Sequence, residues 1–288
     1  MSDLEIIADN HFTVTSSGLV LNGGIVQSMP NPATAAQSGA VLSVLSLNRN
    51  RNRNRNRNRN RNRNRNRNRN RTTESEGGIL EPWKAREKLY AMKEDWIALP
   101  IPRPPSPEML RAEAKELLIK QALRKTERER GRVDEIMREA NLELSGYLRP
   151  LGIEGVGGYG ATEHLFYVIL ALTDEIGLRY KDRYNVTRPS QIEPRLCPLL
   201  PDPPHQSYPS NHSFQSFSLA FLFSRILPEH PASSELMNSA RRIAENREWA
   251  GVHYRSDTDA GYQLARMITP CLERVCEEEM LAALAEWI

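Results

Sequence analysis

The sequence predicts an all-α fold, a helical bundle, over residues 79–288. No segment there alternates as a strand does, and apolar residues recur at helical spacing. Clusters of proline and glycine separate these segments, as they do between helices. Residues 1–47 are predicted to form a weakly ordered, largely disordered leader, and residues 48–78 a low-complexity repeat with a linker.

The leader contains two segments, residues 11–15 and 18–24, that are predicted to form short strands around turns. Residues 48–71 are twelve consecutive Asn-Arg pairs, and removing their twelve positive charges changes the net charge from +3 to −9. We expect this tract to be solvated and extended. It either binds RNA or DNA weakly by neutralising phosphates, or is a repeat expansion without a selected role.

The helical segments of residues 79–288 follow from their apolar spacing and from the proline- and glycine-rich loops between them. Thr162 and Ser210 are predicted N-caps, and three phenylalanines after Ser210 are predicted core residues: Phe214, Phe217 and Phe221. The predicted helices are Trp83–Trp96, Glu108–Gly131 with continuation to Tyr147, Thr162–Tyr180, the segment from Ser210, Glu235–Trp249 and Thr258–Trp287.

The first motif with chemical content is Lys181-x6-Arg188-Pro189. Seven residues are about two helical turns, so both cations are predicted on one helix face, with Pro189 ending the helix. Two cations together indicate an anion partner, whereas a solvated basic face is the alternative.

The second motif is Pro209-Ser210-Asn211-His212, at a predicted loop-to-helix junction. A helix N-terminus offers unpaired N–H groups and the positive end of the dipole, so it favours an anion. A serine cap beside an exposed histidine is the alternative.

The third motif is Arg247-x5-His253-x3-Asp257. We expect His253 and Asp257 to meet on a helix at i and i+4, so that the carboxylate fixes the imidazole tautomer and leaves the other ring nitrogen as nucleophile or base. A surface His–Asp pair is the alternative.

Together the three segments, KDRYNVTRP, SYPSNHS and NREWAGVHYRSD, resemble the PAP2 superfamily of class A bacterial acid phosphatases, lipid phosphate phosphatases and vanadium-dependent haloperoxidases. The class A acid phosphatases resemble the chain most in size and predicted helical content. The resemblance implies a PAP2-type helical catalytic domain over residues 79–288, and its specific motifs span residues 181–257.

The resemblance also implies roles for individual residues. Asp257 would orient His253, which would attack phosphorus to give a phosphohistidine, and His212 would protonate the leaving oxygen. The predicted phosphate-binding residues are Lys181, Arg188, Ser210, Asn211 through its backbone N–H, and Arg247. Asn211 stands where the family motif has glycine, and Asn246 where it has serine.

The sequence therefore predicts an acid phosphatase that hydrolyses phosphomonoesters without a metal or cofactor, because three cations supply the positive charge. A vanadium-dependent haloperoxidase with vanadate in the same pocket is one alternative, and an RNA-binding protein acting through the Asn-Arg tract is another. The three cysteines, Cys197, Cys271 and Cys276, lack CxxC spacing and predict neither a disulfide framework nor a zinc site.

No apolar run reaches 18 residues, so no transmembrane segment is expected. The N-terminus lacks the pattern of a signal peptide, which predicts a cytoplasmic protein, or a periplasmic one if translation starts elsewhere. A small-molecule phosphomonoester is the expected partner, and a homo-oligomer is compatible with the sequence.

Overall fold

The computed structural model describes residues 12–15, 18–21, 81–126, 129–140 and 144–288. The chain divides into two units, Met1–Asn70 and Arg71–Ile288. In the first unit, strands β1 (Phe12–Thr15) and β2 (Gly18–Leu21) pair antiparallel, with Phe12 opposite Leu21, as predicted for the leader. The rest of the leader, the Asn-Arg repeat and the linker lie outside the described residues, and so do the predictions made for them.

The described residues of the second unit are helical, which confirms the all-α fold class. Proline at the first or second position begins several helices, because its missing N–H would have no intrahelical partner there. The helices are α1 (Glu81–Ala91), α2 (Lys93–Trp96), α3 (Pro107–Leu123), α4 (Arg130–Ala140), α5 (Ser145–Leu148), α6 (Gly160–Tyr184), α7 (Pro189–Ile192), α8 (Asn211–Ile226), α9 (Pro231–Trp249), α10 (Arg255–Val275) and α11 (Glu277–Leu284).

Helix α8 lies at the centre of the bundle and packs against α6, α9 and α10. Its residues are buried around most of its circumference, which is typical of a central helix. Phe214 and Phe217 are buried and Phe221 packs against the same core, so the predicted aromatic core is confirmed. The N-terminus of this central helix carries the second motif.

Several helix boundaries differ from the predictions: α1 and α2 divide the predicted Trp83–Trp96, and α10 and α11 divide the predicted Thr258–Trp287. Helix α6 begins at Gly160 with Tyr159 as N-cap, so Thr162 is not the cap. The carboxylate of Glu286 takes that role by accepting the backbone N–H groups of Ala161 and Thr162 at 2.7 and 2.8 Å. This contact joins residues 124 positions apart, so local sequence could not predict it.

Within the described residues, no helix is both long and apolar enough to cross a membrane.

Gly261 of α10 allows the closest approach between α10 and α8. A Cβ at this position would lie 2.6 Å from the carbonyl oxygen of Ser210 and 2.7 Å from Cβ of Ser213, and neither atom can rotate away. We expect Gly261→Ala to lower the free energy of unfolding by about 1–3 kcal/mol, measured by urea denaturation. Gly131→Ala is the control, since nothing lies within 4 Å of its added Cβ. Equal effects of the two substitutions would contradict the packing.

Candidate active site

His253 and Asp257 form a buried pair. Nδ1 of His253 lies 2.8 Å from Oδ2 of Asp257, and both side chains are almost fully buried. The same carboxylate oxygen accepts the backbone N–H of Tyr254 at 3.1 Å and the hydroxyl of Ser207. A carboxylate at Nδ1 favours the proton on that nitrogen and leaves a lone pair on Nε2.

The pair exists, but the predicted helical geometry is wrong. His253 precedes α10, whose N-cap is Tyr254, so the two residues do not lie on one helix face. Asp257 reaches back as the third helical residue to the N-cap N–H, as an acidic residue does in a capping box. The helix start therefore brings the carboxylate to the histidine.

Lys181 lies in α6 with only 1% of its surface exposed. Its ammonium donates to the backbone carbonyls of Gln206, Ser207 and Pro209 at 3.0, 2.7 and 2.6 Å. All three N–H bonds are thus directed at the segment that leads into α8. Burial and the charge of Arg188 lower the pKa of Lys181 well below its usual value.

Arg188 lies at 2% exposure and does not continue the helix of Lys181, contrary to the prediction. Helix α6 ends at Tyr184 because Asn185 adopts a left-handed conformation with φ 51°. Arg188 is extended, as expected of a residue before proline, and is the N-cap of α7. Its Nη1 donates to the carbonyl of Val252 at 2.6 Å and lies 3.2 Å from Nε2 of His253.

Arg247 lies at the end of α9 with 1% of its surface exposed. Its Nη2 is paired with the carboxylate of Glu139 in α4 and also donates to the carbonyl of Ile136 at 3.4 Å. Asn246 donates to Glu139 at 2.6 Å. Burial raises the pKa of Glu139, against the opposing effect of Arg247.

The second motif forms the first turn of α8. The hydroxyl of Ser210 accepts the N–H of Ser213 at 3.4 Å, so Ser210 is the N-cap, as predicted. Asn211 and His212 follow as the first two helical residues, whose N–H groups have no intrahelical acceptor. Burial, then the charges of Arg247 and Lys181, lower the pKa of His212 well below its usual value.

Four predicted site residues have a buried polar atom without a hydrogen-bond partner among the described residues: Oδ1 of Asn211, Nε2 of His212, Nε of Arg247 and Oδ1 of Asp257. Buried polar groups are nearly always paired, because an unpaired one costs about 1–3 kcal/mol. All four atoms belong to the second and third motifs.

The electrostatics of the region favour neutral histidines. Burial, then the charges of Arg188 and Lys181, lower the pKa of His253 well below its usual value. Burial raises the pKa of Asp257 to about 6, against the hydrogen bond from Ser207. His253 therefore keeps an unprotonated Nε2 at mildly acidic pH.

Three participating residues were not predicted as site residues. His205 lies 3.0 Å from Arg188 through its Nδ1, Ser207 donates to Asp257, and Glu139 pairs with Arg247. His205 and Ser207 lie within five residues of Ser210, so proximity to the motif was an available signal. Glu139 lies 108 residues from its partner, and nothing local indicated it.

The structure thus divides the predicted residues into contact groups. Arg188, His253 and Asp257 form one continuous hydrogen-bonded chain. Lys181 is joined to it through the backbone of residues 206–209 rather than by direct contact. Arg247 contacts α4, and its charge acts on the pKa of His212.

In the described part of the chain, no three His, Cys, Asp or Glu side chains cluster as a metal site would require. A cleft of about 430 Å³ lies elsewhere, between α8, α9 and α10, with Phe217, Ala244 and Tyr262 among its walls. None of the predicted site residues lines that cleft.

Comparisons with known proteins add little to this geometry. No protein-family model matches the chain, and no curated protein matches it. One similar solved structure is described as the crystal structure of the first transmembrane PAP2 type phosphatidylglycerolphosphate phosphatase from Bacillus subtilis. It has 17% identity and a TM-score of 0.32, with 59% of this chain and 96% of that chain covered. A TM-score this low carries no argument for the fold or the activity of this chain.

Removing the charge of Glu139 tests the buried ion pair. We expect Glu139→Gln to lower the free energy of unfolding by about 3 kcal/mol, because Arg247 would remain buried without a counterion. Glu278→Gln is the control, since its pair with Lys88 is exposed and should contribute nothing measurable. Urea denaturation of both variants measures the difference. Equal stabilities would show that Glu139 is not needed as a counterion.

His205 should make the protein less stable in acid. Burial, then the charges of Lys181 and Arg188, lower the pKa of His205 to about 4 from an ordinary 6.5. Between these values the unfolded chain takes up a proton that the folded chain does not, so stability falls as pH falls from 6.5 towards 4. We expect a shallower fall for His205→Asn, measured by denaturation at several pH values.

Above about pH 7 the imidazole is neutral in both states, so the stabilities of the two proteins should run parallel there. The difference in stability between the two proteins above about pH 7 therefore measures any effect of His205→Asn on packing. Equal slopes below pH 6.5 would contradict the assigned burial of His205.

Proposed function

We propose that this protein is a phosphatase of the acid phosphatase type, which hydrolyses phosphomonoesters through a phosphohistidine on His253. The orientation of His253 carries the proposal. Its Nδ1 faces the carboxylate of Asp257 at 2.8 Å, and its Nε2 faces a cationic donor, Arg188, at 3.2 Å. The Nε2 lone pair accepts the Arg188 N–H in this structure, and a phosphoryl oxygen that took over this donor would free the lone pair to attack phosphorus.

In the first step, Nε2 of His253 forms a bond to phosphorus while the bond between phosphorus and the ester oxygen breaks. Arg188, Lys181 and Arg247 offset the charge on the phosphoryl oxygens, and they replace the positive charge that Mg²⁺ supplies in kinases. A phosphoryl oxygen would share or replace one of the carbonyls bound to Lys181. The unpaired Nε–H of Arg247 offers a further donor.

His212 is the proposed acid. Its Nε2 has no hydrogen-bond partner among the described residues, so this nitrogen is free to face a leaving oxygen. Protonation would therefore place a proton on the free Nε2, and the negative charge of a bound phosphate would raise its pKa. In the second step His212 accepts a proton from water, which attacks phosphorus and breaks the bond to His253.

The first test is hydrolysis of p-nitrophenyl phosphate between mildly acidic and neutral pH in the presence of EDTA. We expect turnover that vanadate inhibits, because the proposed site supplies its own positive charge. His253→Ala should lower kcat by about 10³-fold or more, since the substitution removes the atom that forms the intermediate.

His230→Asn is the matched histidine control. His230 caps α9 by accepting the N–H of Ala232 at 3.1 Å, and asparagine also caps helices well, so activity should be unchanged. Quenching wild-type protein and phosphoryl-labelled substrate with an alkaline denaturant, in which the P–N bond of a phosphohistidine survives, should trap label that is absent from His253→Ala. Absence of turnover at every pH, or equal turnover in His253→Ala, would overturn the proposal.

A further inference from the structure

Asn211 directs its side chain towards α6 at Gly177. A Cβ built on Gly177 would lie 2.8 Å from Cγ of Asn211 and closer still to its Oδ1. The missing side chain of Gly177 therefore leaves the notch that the amide of Asn211 fills. Because an ordinary residue at position 177 would collide with it, the two residues are sterically complementary.

The amide is also held by a hydrogen bond. Its Nδ2 donates to Oδ1 of Asp174 at 3.2 Å, one turn before Gly177 on α6. Asn211 is buried, whereas Asp174 keeps solvent-exposed surface, although desolvation raises the pKa of its carboxyl. Asn211 could leave the notch only by breaking this bond and giving up its buried fit against Gly177.

Helix α6 consequently holds the start of α8 at two points. Lys181 lies one turn after Gly177 on the same helix face and binds the carbonyls of Gln206, Ser207 and Pro209. Asp174 and Gly177 hold Asn211. Ser210 lies between these two attachments, so both sides of the N-cap are tied to the helix that carries Lys181.

We propose that Asn211 is a positioning residue and that Gly177 is its required complement. With Asp174 they set the position of the first turn of α8 relative to Lys181, and hence the direction of the Asn211 N–H and the His212 ring. This inference rests on the proposed function, because those groups are the ones assigned to the phosphoryl oxygens and the leaving group.

A double-mutant cycle of Gly177→Ala and Asn211→Gly tests the complementarity. We expect Gly177→Ala alone to lower Tm and to raise the inhibition constant for vanadate about ten-fold, because it displaces the Asn211 side chain and shifts the α8 turn. In the Asn211→Gly background the same substitution should change the inhibition constant less than about two-fold, since the notch is empty. Gly160→Ala, on the same helix with nothing within 4 Å of its added Cβ, is the matched control.

Asp174 provides a rescue experiment. Asp174→Ala removes the acceptor and should weaken vanadate binding, whereas Asp174→Asn keeps an oxygen at that position and should restore most of it. A role in packing alone would lower Tm in both proteins without moving the inhibition constant. A vanadate inhibition constant that rises in Asp174→Ala and returns towards the wild-type value in Asp174→Asn therefore indicates positioning rather than a loss of stability.

If the effects of Gly177→Ala and Asn211→Gly on Tm are additive, the two residues are not sterically complementary. If the two substitutions are coupled in Tm but Gly177→Ala leaves the vanadate inhibition constant unchanged, Asn211 is not a positioning residue. Wild-type protein that neither turns over nor binds vanadate would overturn the proposed function, and the positioning role with it, while the Tm cycle would still decide the packing of Asn211 on Gly177.

Discussion

Two segments of the chain, the loop at Ser207 and residues 253–257, meet at one carboxylate oxygen, Oδ2 of Asp257. It accepts hydrogen bonds from the ring of His253, the hydroxyl of Ser207 and the backbone of Tyr254. These bonds fix the histidine, hold the loop before α8 and begin α10. Because Asp257 is completely buried, loss of one donor would leave its charge less compensated at a cost of more than about 1 kcal/mol. The three features therefore depend on one another.

Backbone carbonyls, rather than carboxylates, receive most of the hydrogen bonds from Lys181 and Arg188. Carbonyl dipoles satisfy the donors but do not cancel the charge, so a positive potential remains in a region of low dielectric constant. The lowered pKa of His253 is one consequence. An anion that replaced a carbonyl would gain both a hydrogen bond and the uncompensated charge, which supports the oxyanion binding that we propose.

The PAP2 resemblance grouped Arg188 with His253, and the structure has them in contact, but the helical arguments for the Lys181–Arg188 and His253–Asp257 spacings were wrong. Helical periodicity assumes that the helix continues. A left-handed Asn185 ends α6 before Arg188, and α10 begins only after His253. Pro189 correctly predicted a break near Arg188, yet the terminating residue lies four positions earlier. The order of helices in the bundle was predictable because it follows from apolar spacing and prolines, which are local signals.

Contacts between distant helices were not predictable in this way. Asn211 and Asn246, at which the sequence departs from the PAP2 motif that it resembles, illustrate why. Each turns its amide towards a neighbouring helix: Asn211 to Asp174 of α6, and Asn246 to Glu139 of α4 at 2.6 Å. Glycine or serine at these positions has no side chain long enough to make such a bond. The two asparagines therefore bind α6 and α4 beside the site. Their partners, Asp174 and Glu139, lie outside the three motifs, so the motifs alone could not predict these contacts.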